Sequence, residues 1–364
     1  MSAGPQDRGT NEMDRASSEF ATLEQAAGAV LRTAAEIAAS GPIAPLSQLW
    51  QGAFAAARAV VAPPTEQSSR LAAFALPTLM HLEAAPRSAQ SRAIAHTLGA
   101  AVAELRAAGR AGAAAALSSL AIEMAGEPSL TRVLPFFVCL EAMVRARLAH
   151  DAGGVGPHAV SSYWQIAAAE ADGTTGPCLV LCGGLSGSGK SFVGTGLAAT
   201  LGATIVGSDR LRKELAGVAP TARTPAEQNG RVYSTRMTDR VYRRLARAAA
   251  ESLREGRPVL LDGTYLTPER RAVPLRLAQE FGVPAAIVWC ELPDAEAAAR
   301  LRRRFTLGWA VSDGDPRVRA LQRGGARQPT EDEYGAELLR VDASQQPAEL
   351  FERLLPRVCG AVRR

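Results

Sequence analysis

The chain has 364 residues, 47% of them apolar, and a net charge of +5. That length suggests two domains with real cores; the start lacks an apolar signal core and no run reaches the roughly 18 uninterrupted apolar residues of a membrane span, so a cytoplasmic chain is expected. Residues 1–150 hold 12 Lys and Arg against 12 Asp and Glu, and 151–364 hold 29 against 24, so the whole excess lies in the second half. Much of it falls between Arg300 and Arg327, where eight arginines face Asp313 and Asp315: a basic segment rather than a basic protein.

In chain order, residues 1–18 are polar and read as a disordered tail. From 19 to 150 the chain is alanine-rich, with helical spacing and scattered prolines, and predicts five to seven helices in a separate all-α domain. Between Arg15 and His150 there is no aspartate and no asparagine, so a magnesium site built on those residues has no material there and the domain is expected to be non-catalytic. Residues 151–176 mix glycine and proline around a short helical middle and read as a linker.

The second domain, 177–364, alternates apolar runs with helical patterns. Strands are expected near 178–183, 203–207, 258–262, 285–291 and 337–342, which predicts an α/β fold with a parallel five-stranded sheet and helices on both faces. Ligands of such sheets bind at the carboxyl ends of the strands. The five cysteines show no C-x-x-C pair and several lie in apolar runs, as buried free thiols do.

The first strand runs into GGLSGSGKS, residues 183–191, and Gly184 to Ser191 fits G-x-x-x-x-G-K-S at every fixed position. Lys190 is one of two lysines in a chain with 39 arginines. Such a loop is expected to bind a nucleotide: glycines let N–H groups turn inward around phosphate, and the following helix adds the positive end of its dipole. Gly184, Leu185, Ser186, Gly187, Ser188, Gly189, Lys190, Ser191 and Phe192 are the expected nucleotide-binding residues, with the Lys190 ammonium on the β- and γ-phosphates and the Ser191 hydroxyl on Mg²⁺.

The second strand, ATIVGS, delivers Asp209 to its carboxyl end. It reads either as a general base for a substrate hydroxyl or as a helix N-cap, and the two are compatible. The third strand, PVLLDGT, ends in Asp262 as a Walker-B strand does, placing a second ligand for Mg²⁺. Thr264 and Arg270 follow, as substrate contacts or as solvated turn residues. RLRRRF, with Arg300, Arg302, Arg303 and Arg304, precedes a glycine-rich, poorly periodic stretch that reads as a mobile lid near 305–330. There is no N-K-x-D guanine reader and no L-S-G-G-Q segment.

As a set, GGLSGSGKS, VGSDRLRKELAG, VYSTRMTDRVYRRLARAAAESLREG, VLLDGTYL with Arg270 or Arg271, and RLRRRF before SDGD resemble the small P-loop kinases that include zeta toxins, polynucleotide 5′-kinases, gluconate kinases and chloramphenicol phosphotransferase. The match is closest to the ATP-binding module fused behind an aminoglycoside-phosphotransferase-like domain in many bacterial proteins, and FFVCLEAMVRARLAH at 136–150 is similar to the last helix of that domain. The H-x-D loop of the fused domain is absent here. The resemblance implies that Asp209 is the general base, Lys190 and Ser191 hold phosphate and Mg²⁺, and Arg300 and Arg304 are lid arginines. It further implies an ATP-dependent kinase whose acceptor is a small-molecule hydroxyl on a sugar, nucleoside or antibiotic. Two other readings stay open: a kinase of nucleic-acid 5′ ends, and an ATP-gated interaction protein whose helical half binds a protein partner or a second copy.

Overall fold

The computed structural model describes residues 5–39, 51, 53–55, 89–152, 157–172, 176–224, 229–304, 311–314, 316–331 and 333–362. Helices α1 (Pro5–Ala39), α2 (Ala89–Ala107), α3 (Ala111–Ala125), α4 (Leu134–Asp151) and α5 (Pro157–Asp172) come first, with a 3₁₀ turn at Pro128–Arg132. They lead into β1 (Leu179–Gly183), α6 (Lys190–Leu201), β2 (Thr204–Gly207), α7 (Ser208–Ala216), α8 (Asn229–Val232), α9 (Thr235–Arg254) and β3 (Val259–Asp262). The chain closes with α10 (Pro268–Glu280), β4 (Ala285–Glu291), α11 (Asp294–Arg304), α12 (Pro316–Gly325), β5 (Glu337–Asp342) and α13 (Pro347–Val362). Among the described residues no helix is long and apolar enough to cross a membrane.

The five strands form one all-parallel sheet in the order β2-β3-β1-β4-β5, and all five fall where the apolar runs predict them. β1 is buried at every position, as a strand covered on both faces must be. Its odd residues, Leu179 and Leu181, pack with Val259, Leu261 and Ile287 under Val241, Leu245 and Ala249 of α9 and Leu275 of α10. Its even residues, Val180 and Cys182, pack with Leu260, Val288 and Leu339 under Val193 and Leu197 of α6 and Phe351 and Leu354 of α13.

The second core does not stop at α6 and α13. It runs on without a break through Ala114–Leu117 and Leu120 of α3, Leu98 of α2 and Phe137 and Leu140 of α4. The helical half, expected as a separate bundle, is therefore a further layer on one face of the α/β unit. Small residues allow the approach: a Cβ on Gly112 would meet Ala348 O, and one on Gly196 would meet Phe351 Cζ and lie 3.0 Å from Ala115 O. Polar ties accompany the packing. Ser119 Oγ donates to Phe192 O at 2.6 Å, Thr131 Oγ1 to Ala203 O at 2.7 Å, the Gly112 N–H to Glu352 Oε2 at 2.7 Å and Arg210 Nη2 to Gly126 O at 2.8 Å.

Two further expectations change. The 1–18 tail is helical from Pro5, as an N-terminal continuation of the docked part of α1; once a helix is nucleated, each added residue gains a hydrogen bond. The 151–176 linker contains α5, whose Trp164, Ala167 and Ala171 are buried against α4, so most of it belongs to the core. Of the expected lid, 305–310 and Asp315 lie outside the described residues.

Candidate active site

The register of the sheet brings the catalytic candidates together. Cys182, the residue before the phosphate loop's strand ends, pairs with Asp262, and Asp262 pairs with Gly207, two residues before Asp209. Neighbouring strands lie about 4.8 Å apart, so the end of β2, two residues before Asp209, stands about two strand spacings, roughly 10 Å, from the end of β1, with Asp262 at the end of the strand between them. That separation leaves room for a phosphoryl group and an acceptor hydroxyl.

The loop itself has the shape of a phosphate cradle. Gly184 has φ 141°, and a Cβ there would lie 2.5 Å from Cys290 O and 2.7 Å from Ser188 Oγ. Gly187 and Gly189 have φ of 81° and 84°, and Gly189 caps α6 in the left-handed region. Ser188 Oγ is buried inside the loop without a hydrogen bond. Lys190 is buried at 6% exposure, with its carbonyl accepting from the Cys182 thiol at 3.1 Å. That thiol is pushed up by its hydrogen bond with Cys290, by burial and by the Asp262 charge, with Lys190 opposing, so Lys190 and Asp262 both act on one point of the floor.

These residues fit ATP with Mg²⁺: a glycine cradle opening onto a helix N-terminus, a lysine, a hydroxyl at Ser191 and a carboxylate at Asp262, the donor set of an ion that keeps its remaining contacts to phosphate and water. Leu185 and Ser186 complete the loop. Phe192 turns its ring away, 5.6 Å from that of Phe351. Among the described residues no group of three or more His, Cys, Asp or Glu could hold a metal on its own.

Asp209 is half-buried in the first turn of α7. The N-cap of α7 is Gly207 and no side chain caps the helix, so Asp209 is not spent on capping. Of the lid arginines, Arg300 reaches the loop: a Cβ on Gly189 would lie 3.3 Å from Arg300 Nη1, while Arg300 Nη2 donates to Ala343 O at 2.6 Å. Arg303 pairs instead with Glu24 of α1 at 2.8 Å. Arg304 closes α11, and its side chain lies outside the described residues.

Three further groups join the site: Arg319 and Gln322, which sequence reasoning missed, and Lys213, which it placed on the helix that Asp209 opens. Arg319 of α12, 5% exposed, donates to Ser186 O at 2.8 Å, Leu292 O at 2.6 Å and Asp294 Oδ1 at 2.9 Å. Gln322, one turn on, accepts the Ser186 N–H at 2.8 Å. The helix at the C-terminal end of the expected lid thus holds one loop residue by both of its backbone groups. Third, Lys213, 1% exposed, pairs with Asp313 Oδ1 at 3.1 Å and donates to Pro220 O and Ala222 O. Asp313 also accepts from the Thr224 hydroxyl and from Tyr233 Oη at 3.0 Å. Burial would raise the Asp313 carboxyl, but the hydrogen bonds from Thr224 and Lys213 and the Lys213 charge hold it below its ordinary value.

Arg271 and Arg270 separate in role. Arg271 is fully buried, with Nε and Nη2 on the two Glu333 oxygens at 2.6 Å and Nη1 on Tyr265 O, and so holds the chain around 327–333. Arg270 lies over the Tyr242 ring at 4.7 Å, and Tyr242 Oη is 3.0 Å from Thr264 Oγ1.

Residues 179–329 match a family described as AAA domain. Relatives include uncharacterized proteins of Mycobacterium tuberculosis and Mycobacterium bovis, 34% identical over 102 residues; the shared stretch is 28% of this chain and 20% of theirs. Similar solved structures are a gluconokinase from Sinorhizobium meliloti 1021 (19% identity, TM-score 0.34, 51% of this chain and 95% of that one) and a sugar kinase from Janibacter sp. HTCC2649 (18%, 0.35, 50% and 94%). The family match, the loop sequence and the all-parallel sheet coincide in the same segment, whose fold is that of a P-loop α/β unit.

Proposed function

We propose that the second half of the chain transfers the γ-phosphate of ATP to a hydroxyl of a small-molecule acceptor. The observation that supports this reading is the register that pairs Gly207 with Asp262 and Asp262 with Cys182, with Asp209 two residues beyond Gly207. The loop amides and Lys190 hold the phosphates, and Ser191 and Asp262 would hold Mg²⁺, which supplies charge neutralisation on the β- and γ-oxygens when bound. Asp209 orients the acceptor hydroxyl and takes its proton as the oxygen attacks in line. Arg300 would neutralise charge on the transferring group, a role supported by its proximity to Gly189.

The test is full-length protein with ATP, Mg²⁺ and a broad acceptor panel, read by mass spectrometry. A phosphorylated sugar, nucleoside or antibiotic is the expected product. Tight ATP binding with neither transfer nor hydrolysis would instead point to an ATP-gated binder. A nucleic-acid 5′-hydroxyl as acceptor draws on one observation, the exposure of Arg236, Arg240, Arg243, Arg244 and Arg247 along one stripe of α9. Activity on oligonucleotides that falls steeply with salt would select that reading.

A further inference from the structure

We propose that Tyr233 is the acceptor-binding platform beside Asp209, and that the acceptor is therefore a molecule with a flat ring face, a cyclic sugar or a heteroaromatic base, rather than an open-chain polyol or acid. The inference rests on the phosphoryl-transfer reading above and names the substrate class of that same site.

Tyr233 lies in the turn between α8 and α9, directly before the Ser234 cap of α9. Two contacts hold it in place. Its hydroxyl donates to Asp313 Oδ2 at 3.0 Å, and Asp313 is itself held by Lys213 and Thr224. One side of its ring is backed by the Arg212 guanidinium, 5.1 Å from the centroid. Arg212 in turn is 8% exposed and donates to Val232 O and Thr238 Oγ1. Yet the residue keeps 43% of its surface, and it is the one aromatic among the exposed large apolar side chains of the described residues.

A ring fixed at its edge and on one face, with the rest open, is a pre-paid contact surface: a ligand that stacks on it costs no rotamer entropy on the protein side. The location sets its use. Arg212, against the ring, stands three residues after Asp209 on α7, and residues three apart share one face of a helix, so the ring lies on the Asp209 side of α7. Burial first, then the charges of Asp209 and Asp313, push the phenol up, so the hydroxyl stays neutral. Tyr233 is thus a binding surface and not a second base.

A stacked acceptor must present several C–H groups or a π-face on one side, which a closed ring does. An open-chain polyol meets the same surface only after freezing its own rotors. The cation behind the ring also favours an electron-rich partner in front of it, by polarising the π-system toward Arg212.

The experiment uses the full chain saturated with a non-hydrolysable ATP analogue, so that the nucleotide site is filled, and reads binding of D-glucose, adenosine, gluconate and glycerol by saturation-transfer NMR. The same four are then assayed for ADP release with ATP. The account expects ring compounds to bind, and glucose against adenosine decides which ring. For the preferred ring, Y233A is expected to raise KM about tenfold with a smaller change in kcat, while Y233F and Y233W, which keep a ring, recover most of the loss. Open-chain compounds binding as well as rings, no ring compound binding at all, or a Y233A KM equal to wild type would each overturn the proposal. Ring binding that depends on Tyr233 but leads to no transfer would support the platform and refute the kinase reading.

Discussion

Replacing Arg319 by alanine probes the contact that joins the lid helix to the phosphate loop. The guanidinium is buried and donates to two carbonyls, Ser186 O and Leu292 O, and to Asp294, whose side chain is about half exposed. The Asp294 share is discounted to about 0–1 kcal/mol, as for a surface pair that also serves Arg323. Each buried bond from a charged donor is worth about 1.5–3 kcal/mol, so the two carbonyl bonds together contribute about 3–6 kcal/mol. The loss should be local, because these atoms and Gln322 are what join α12 to the phosphate loop. Hydrogen exchange read by mass spectrometry should therefore show amides of 316–325 and 184–191 exchanging roughly 10²-fold or more faster in R319A, with strands β1 and β3 unchanged. ATP affinity should fall alongside, and R319K should recover only part of it, since an ammonium cannot reach three acceptors in a fork. Unchanged exchange in both segments would refute the claim that Arg319 fastens the lid helix to the loop.

Other outcomes follow from single contacts. Lys190→Arg is expected to weaken ATP binding by about tenfold or more, because a buried, compact ammonium is replaced by a larger planar group; isothermal titration checks it. Gly196→Ala places a Cβ against Phe351 Cζ, at a cost of roughly 1–3 kcal/mol, seen as a lower urea midpoint for the whole chain. An unchanged midpoint would mean that α6 does not pack against α13 and α3 as described. Asp313 has a folded carboxyl held below its ordinary 3.8, so its stabilisation is fully present above that pH and drains as pH falls through the lower folded value. D313N should be less stable than wild type at neutral pH, and the gap should close below about pH 3.8 in acid denaturation.

The sheet and the donor side of the site were legible because both are written locally. All five strands are short apolar runs ending in punctuation, and the loop's glycines, Lys190 and Ser191 hold fixed spacing. Asp209 and Asp262 were legible because a parallel sheet delivers every strand's carboxyl end to one crevice. Arg319 was not. Its partner Ser186 is 133 residues away, and in sequence it is one of eight arginines in a weakly periodic stretch, each of which alone looks solvated. Lys213 likewise gave a helical position but no sign that Asp313 would bury it. Arg271 and Arg270 are adjacent in sequence, and only the fold decides which of them is enclosed by Glu333. The docking of the helical half was hidden for a different reason: alanine and glycine make a helix without saying whether its small face meets another helix of its own bundle or, as Gly112 does, the backbone of α13.

The central claim is that Asp209 activates an acceptor hydroxyl opposite a phosphate loop charged with ATP. Single-turnover transfer from labelled ATP, with Asp209→Asn beside wild type on the best acceptor of the panel, tests it most directly. The account predicts a rate lower by roughly 10²–10⁴ with ATP affinity retained. Transfer by Asp209→Asn at the wild-type rate would contradict it.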